Sequence, residues 1–192
     1  VVEGPVLNAS CCASRYGYLP IPHRHGLTIG EAARLFAHSL GSAAPQVTVE
    51  PLRNWRRSLM FDELGLPWLP PSPNLPTAAS ALAYTATVFV EATTASEGRG
   101  TTQPFERIGA PWIGSDASRL VRRLNDPLTR NSSTRRWRKS YFIPTWFKFN
   151  GSVCAGAQLV RPSAANQSLF GEGVRLLCAL RELGAHTSSF RW

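Results

Sequence analysis

The segment Val88–Thr102 constrains the fold of this chain more than any other part of its sequence. A run of β-branched and aromatic residues at 86–91 predicts a strand that ends on the carboxylate of Glu91. The polar loop that follows places two charged residues among glycines: Glu97, Gly98, Arg99 and Gly100. Glycine allows positive φ and close approach of a ligand to the backbone. The pattern is typical of ligand sites in α/β folds, but a tight turn held by a Glu–Arg pair explains the same residues.

A helix with a clear start signal is predicted at about 28–40. Thr28 and Glu31 fit a capping box, in which each side chain satisfies a free backbone N–H group of the other residue. Apolar residues recur at helical spacing, namely Ile29, Ala32, Ala33, Phe36 and Leu40. Gly41 then provides a stop.

The rest of the chain alternates between predicted strands and helices. The strands are 46–50, 141–143 and 158–160, and the helices are 78–84, one capped by Ser115 that runs to Leu124, and about 172–183. A proline-dense loop at 64–76 is stiff enough to form the fixed wall of a cleft. Strands and helices alternate along the chain, and there is no internal repeat. This alternation predicts the fold class α/β (α+β).

Composition limits the classes of protein that fit. The chain has 192 residues, and no apolar run approaches the ~20 residues that a membrane span needs. It begins at Val1 without an initiator Met or a signal-peptide core, so we expect a chain that is entered mid-domain. Its four cysteines lack C-x-x-C spacing, which argues against a zinc site.

The net charge of +9 raises the question of nucleic-acid binding. Eight basic residues lie between Arg119 and Lys139, with Trp137 inside the densest part. A phosphate-tracking patch with a stacking aromatic would have this composition. A solvated helix face followed by a basic loop fits better, since no known nucleic-acid-binding motif accompanies the run. Nucleic acid is therefore not an expected partner.

Two groups of residues are candidates for chemistry. Glu91 and Glu97 could form the carboxylate pair that glycoside hydrolysis uses, although chance produces such spacings too. Arg99 could grip a substrate carboxylate in a bidentate fashion, or pair with Glu97 and hold it ionised. Arg24 lies between His23 and His25 ahead of the capped helix, where an anion would be favoured and a metal site is only weakly indicated.

Several separate segments, in one order along the chain, resemble the second half of the exo-β-N-acetylmuramidase family of peptidoglycan-recycling glycoside hydrolases. The matching segments are Val2–Pro5, Pro22–Glu31, Gly65–Trp68, Pro71–Asn74, Glu91, Ser96–Thr101, Pro104–Glu106, Ile108–Trp112, Phe142 with Pro144 and Thr145, and Cys154 with Gly156. The chain departs from the family at 92–94, where Ala-Thr-Thr replaces the usual Gly-Thr-Asn.

The resemblance implies a larger protein. Residues 1–45 would be the tail of an amino-terminal Rossmann-like domain, and residues 46–192 a smaller carboxy-terminal α/β domain that contributes to the cleft between them. Family members release terminal N-acetylmuramic acid (MurNAc) from peptidoglycan fragments. The family's candidate catalytic acid lies in the half not present here, so we expect this fragment alone to be inactive. A secreted or periplasmic location and no cofactor are expected.

The resemblance also suggests which residues face the sugar. Glu97 is predicted to be catalytic, and the substrate-binding residues are predicted to be Arg24, His25, Ser72, Asn74, Glu91, Arg99 and Thr101, with no metal ligand. Arg99 or Arg24 would pair with the lactyl carboxylate of MurNAc. The changed loop at 92–94 leaves a catalytically inactive carbohydrate-binding relative as the alternative.

Overall fold

The computed structural model describes residues 2–126, 137–160, 168–185 and 189–192. The chain forms two compact units, Val1–Leu66 and Pro67–Trp192. The division of the whole protein into domains at residue 45, as expected from the sequence, stays a prediction.

The first unit contains a two-stranded antiparallel sheet and two helices. Strand β1 (Glu3–Val6) pairs with β2 (Pro22–Arg24), and the single turn α1 (Ala9–Cys12) lies between them. The first 24 residues thus contain regular structure ahead of the predicted helix. The strand predicted at 46–50 is wrong, because this extended segment pairs with no described strand. It packs on the preceding helix instead, where a Cβ built on Gly30 would lie 2.5 Å from Val49 Cγ1.

Helix α2 (Ile29–Leu40) confirms the predicted capping box. The Glu31 N–H donates to Thr28 Oγ1 at 3.1 Å, and the Thr28 N–H donates to Glu31 Oε2 at 2.8 Å. The Arg57 guanidinium also donates to Glu31, and this bond is the largest of the effects that lower the pKa of Glu31 to about 2. Gly41, with φ of 59°, ends the helix as predicted.

The second unit begins with helix α3 (Ala78–Thr87), followed by a 3₁₀ segment, Val88–Ala92. The strand predicted at 86–91 is therefore wrong. Thr77 caps the helix by accepting from the Ser80 N–H at 3.0 Å. The fully buried positions are Ser80, Ala83, Ala86, Thr87 and Val90, which are spaced for a helical face. Burial of that face overrides the β propensity of the valines and phenylalanine.

A three-stranded antiparallel sheet forms the centre of the second unit. Its order is β3 (Arg107–Ala110), β5 (Cys154–Leu159) and β4 (Trp137–Phe142). The predicted strands at 141–143 and 158–160 overlap the ends of β4 and β5. All six residues of β5 are buried, and Gly156 lets β3 approach closely.

Two helices pack with this sheet around one apolar core. Helix α4 (Ala117–Leu124) begins after Asp116, not Ser115, because a 3₁₀ segment occupies 111–116. Helix α5 (Leu169–Gly184) is longer than predicted. Gly184 is the last residue of this helix and lies close to Phe190. A Cβ built on Gly184 would lie 2.3 Å from the Cβ of Phe190. Together the helices and sheets confirm the mixed α and β class.

Part of the basic run, residues 127–136, lies outside the described residues. Trp137, the aromatic of that run, is 3% exposed, and its Nε1–H donates to Glu172 Oε2 at 3.2 Å. The ring is thus a core group of the sheet and is not presented for stacking. Within the described ranges, no helix combines the length and apolar character needed to cross a membrane.

Gly156→Ala is expected to destabilise the second unit severely, because the new methyl group would lie 2.0 Å from the Ile108 carbonyl oxygen. We expect a loss of about 3 kcal/mol or more in the free energy of unfolding, measured by urea titration of tryptophan fluorescence.

Gly151→Ala is the matched control, since that glycine has a positive φ of 72° but open space around it. Backbone strain alone should then cost only about 1–2 kcal/mol. Equal losses in the two variants would contradict the steric argument.

Candidate functional site

The loop that carries Glu97 is attached to the edge of the central sheet. Ser96 forms an isolated antiparallel bridge with Gly109 of β3, with N–H···O distances of 2.8 and 3.0 Å. The Phe105 N–H then donates to the Glu97 carbonyl at 2.7 Å and closes the loop at its base. The loop therefore starts and ends on rigid parts of the fold.

The two loop glycines are needed for close approach to neighbouring backbone. Gly98 and Gly100 have φ of 79° and 80°. A Cβ on Gly98 would lie 2.5 Å from the Arg107 carbonyl oxygen, and one on Gly100 would lie 2.7 Å from the Trp146 carbonyl oxygen. Thr145 donates to the Gly100 carbonyl through both its N–H and its Oγ1, each at 2.9 Å. The loop is thus held tightly against the segment after β4.

Glu97 is the centre of a cluster of charges. Its side chain has no exposed surface. Glu97 Oε2 accepts from the Lys148 ammonium at 3.1 Å, and Oε1 lies 3.2 Å from Arg99 Nε, outside hydrogen-bond geometry. Arg99 also donates to Glu91 through its other end. Two cations therefore lie next to one buried carboxylate, as a buried charge requires.

Lys148 connects this cluster to the backbone of two segments. Besides Glu97, its Nζ has three carbonyl oxygens within reach, those of Val90 at 3.1 Å, Glu91 at 3.0 Å and Ala95 at 3.0 Å. An ammonium has three donors on a flexible stem, which suits acceptors that converge from several directions. Lys148 therefore fixes the end of the 3₁₀ segment against the start of the loop.

The guanidinium of Arg99 lies between two aromatic rings. Its Cζ is 5.5 Å from the ring centroid of Phe105 and 5.4 Å from that of Phe147, within cation–π range. Both phenylalanines have positive φ, 63° and 67°, which is strained for a bulky residue. Strain of this kind persists only where the surroundings enforce it, and it concentrates at functional sites.

A concave pocket of about 560 Å³ lies next to this cluster. Its lining residues are Pro73, Asn74, Gly100, Thr101, Thr102, Arg107, Phe142, Ile143, Thr145 and Trp146. They combine amide and hydroxyl groups with apolar and aromatic surface, and Arg107 is the charged member. Such a mixture is typical of pockets for small polar ligands. None of these described lining residues is a carboxylic acid.

The predicted site residues of the second unit divide into three groups. Asn74 and Thr101 line the pocket. Glu91, Glu97 and Arg99 form the adjacent charge cluster. Ser72 contacts the pocket wall indirectly, since its Oγ accepts from the Asn74 N–H at 3.4 Å. Their roles towards a substrate stay predictions.

The two predicted residues of the first unit already have protein partners. Arg24 donates to Glu3 Oε1 at 2.9 Å, and the Glu3 side chain is largely buried. His25 Nδ1 accepts from the Leu27 N–H at 3.0 Å. Among the described residues, no group of three or more His, Cys, Asp or Glu side chains could hold a metal ion.

Several residues at the site were not predicted, among them Arg107, Trp146 and Lys148. Lys148 carried a usable signal, since Lys139 and Lys148 are the lysines among 21 basic residues. Arg107 and Trp146 are separated by 39 positions in sequence and carried no such signal.

Tyr84 packs edge-to-face on Phe105, with ring centroids 4.8 Å apart. Burial, reinforced by the negative charge of Glu91, raises the pKa of Tyr84 above its usual range. The phenol is therefore neutral at neutral pH.

The fold and pocket define a small α/β unit with a pocket that combines polar and apolar surface. The chain belongs to the exo-beta-N-acetylmuramidase NamZ family. The model of the family's C-terminal part matches residues 82–192, and the model of its N-terminal part matches residues 1–79. This confirms the resemblance inferred from the sequence.

Similar proteins include the peptidoglycan beta-N-acetylmuramidase NamZ of Bacillus subtilis strain 168. It is 45% identical over 158 residues, which are 82% of this chain and 36% of that protein. Two crystal structures of DUF1343 family proteins from Bacteroides fragilis NCTC 9343 also match. One has a TM-score of 0.82 at 24% identity, over 97% of this chain and 47% of that one. The other has a TM-score of 0.71 at 29% identity, over 99% and 49%. The chain thus spans less than half the length of these relatives.

Lys148→Met is expected to destabilise the second unit, because it leaves the buried Glu97 carboxylate and three carbonyl oxygens without their shared donor. We expect a loss of more than about 2 kcal/mol in the free energy of unfolding, measured by urea titration.

Lys139→Met, on the exposed side of β4, is the matched control and should change the free energy of unfolding by less than about 0.5 kcal/mol. Adding Glu97→Met to Lys148→Met should restore part of the loss, because it removes the stranded charge. A loss at Lys148 as small as that at Lys139 would refute the role of the ammonium.

Proposed function

We propose that this chain forms one wall of the sugar-binding site of a glycoside hydrolase that releases terminal MurNAc from peptidoglycan fragments. The observation that carries the proposal is the pocket beside the Glu97 cluster, in a chain that belongs to the exo-beta-N-acetylmuramidase NamZ family. The name of the Bacillus subtilis relative supports a peptidoglycan-derived substrate.

The pocket has the groups that a sugar ring needs. Asn74, Thr101 and Thr145 offer amide and hydroxyl groups for hydrogen bonds to sugar hydroxyls. Trp146 is 46% exposed and offers an aromatic face for the apolar C–H surface of the ring. A volume of about 560 Å³ is within the range of small-molecule pockets and accommodates a sugar with substituents.

The catalytic acid of the proposed reaction comes from outside this chain. The described lining residues include no carboxylic acid, and the Glu97 side chain has no surface from which to reach a glycosidic oxygen. A general acid must lie within hydrogen-bond reach of the atom that it protonates. In this proposal Glu97 is a positioning residue, the fixed anion around which Arg99 and Lys148 are arranged, while Arg99, Glu91 and Ser72 support the pocket wall.

A catalytically inactive carbohydrate-binding protein is the second candidate function. The absence of a carboxylate from the described pocket lining favours it, since binding needs no acid. The two functions differ in one measurable property of a full-length version, which is turnover.

The isolated chain is expected to bind MurNAc without cleaving a MurNAc–GlcNAc disaccharide. Binding is measured by isothermal titration calorimetry, and cleavage by chromatography of the released sugars. Trp146→Ala should weaken sugar binding by about 10-fold, because the ring loses its stacking surface. Tyr141→Ala, an exposed aromatic of β4 that does not line the pocket, is the control and should leave binding unchanged.

A full-length version is expected to release MurNAc from the disaccharide, and the Arg99→Ala, Glu97→Gln double variant should lower that release. Binding without release by the full-length version would favour the inactive relative. Cleavage by the isolated chain would show that an acid is present in it, contrary to the proposal. Failure of the isolated chain to bind any of these sugars would refute the pocket assignment.

A further inference from the structure

We infer that Arg107 is the residue that makes this pocket select an anionic sugar, one with a carboxylate substituent, over its neutral counterpart. The inference rests on the proposed function, since it assumes that the pocket binds a sugar. It assigns the anion contact to a residue that sequence reasoning missed, in place of Arg24 or Arg99.

The arginines that were predicted to bind an anion are already neutralised by protein carboxylates. Arg24 is paired with Glu3, and Arg99 is paired with Glu91 and Glu97. With Lys148 also paired to Glu97, this cluster holds two cations and two carboxylates, so a further carboxylate that approached Arg99 would meet no excess of positive charge. The net charge around Arg99 therefore does not favour an anionic ligand.

Arg107 differs because its partner is a neutral amide. Its Nε and its Nη2 both donate to Gln103 Oε1, at 2.9 and 2.6 Å. Among the described residues, no carboxylate forms an ion pair with Arg107 and no acceptor bonds to its Nη1. The pocket wall therefore carries a positive charge that the surrounding protein leaves uncompensated.

A chain of amides keeps this guanidinium in place without neutralising it. Gln103 Oε1 also accepts from Gln158 Nε2 at 3.1 Å. Gln158 Oε1 accepts in turn from Arg138 Nε and Nη2, at 3.0 and 2.9 Å. Arg107 and Arg138 are both cross-strand partners of Gln158, so the three side chains follow one row across the sheet. Each amide presents its oxygen to a cation, which orients the amides and fixes both arginines.

The chemistry of the pocket then defines the ligand class. Arg107 would bind the carboxylate, while the hydroxyl and amide groups and Trp146 bind the sugar ring. A guanidinium recognises a carboxylate through directed, charge-assisted hydrogen bonds, which a neutral ester cannot match. Selection should therefore follow the charge of the substituent and not its size.

The test compares MurNAc with its methyl ester, which keeps the lactyl group but removes its charge. GlcNAc, which lacks the lactyl group, is measured alongside them by calorimetry on the chain. The unsubstituted chain should bind MurNAc about 10-fold or more tighter than the ester. In Arg107→Met this ratio should fall close to one, while the affinity for the ester changes by less than about twofold.

Gln103→Glu provides a second variant that keeps Arg107. The new carboxylate would neutralise the guanidinium in place, so the preference for MurNAc over the ester should again disappear. Because the two side chains have nearly the same shape, this variant remains informative if Arg107→Met folds poorly. Arg122→Met, on the exposed side of α4, is the charge-matched control and should keep the full ratio.

The possible results separate this inference from the proposed function. Loss of the preference in both Arg107→Met and Gln103→Glu, with its retention in Arg122→Met, supports the inference. Equal binding of MurNAc and its ester by the unsubstituted chain overturns it and leaves the proposed function standing. A preference for MurNAc that survives in Arg107→Met, or that disappears only in Arg99→Met, also overturns the inference and leaves the proposed function standing. If none of the three sugars binds the unsubstituted chain, the proposed function fails, and the inference with it.

Discussion

The arrangement of the site depends on the ammonium of Lys148 and the acceptors that surround it. One cation within 3.1 Å of three carbonyl oxygens and the Glu97 carboxylate joins the end of the 3₁₀ segment, the start of the glycine loop and the segment after β4. These are parts of the chain that no regular hydrogen-bond ladder connects. Because Glu97 is buried, its carboxylate needs the cations of Lys148 and Arg99 beside it, and these contacts hold the loop that carries Glu97 against its neighbours.

Local sequence signals predicted the parts of the fold that local interactions determine. The capping box of Thr28 and Glu31 predicted the start of α2, and the helix predicted from residue 78 begins at Ala78. The segment 86–91 was mistaken for a strand, because its β-branched and aromatic residues are buried by packing that the sequence does not reveal. The segment 46–50 alternates like a strand but has no described partner strand, and pairing is decided by the rest of the fold.

At the candidate site, the sequence likewise identified residues but did not determine which charges pair with each other. Glu97 and Arg99 could be selected because they stand in a glycine-rich loop, and Asn74 and Thr101 because of the family resemblance. The structure brings all four to one region of the second unit. The sequence left open whether Arg99 pairs with Glu97 or with a ligand, since Glu91, Glu97 and Arg99 are close in sequence in many possible geometries. Arg107 and Gln158 meet only because β3 and β5 are aligned in one register, which is a property of the whole sheet.

The close contact between Gly100 and the Thr145–Trp146 backbone has a consequence for the kinetics of ligand capture. Two walls of the pocket are joined by hydrogen bonds at a separation that leaves no room for a methyl group. The relative position of the two walls is set when the protein folds. Binding of a ligand therefore costs little conformational entropy in the walls. Association should then resemble docking to a preorganised surface, without a slow rearrangement of the rim after the first encounter.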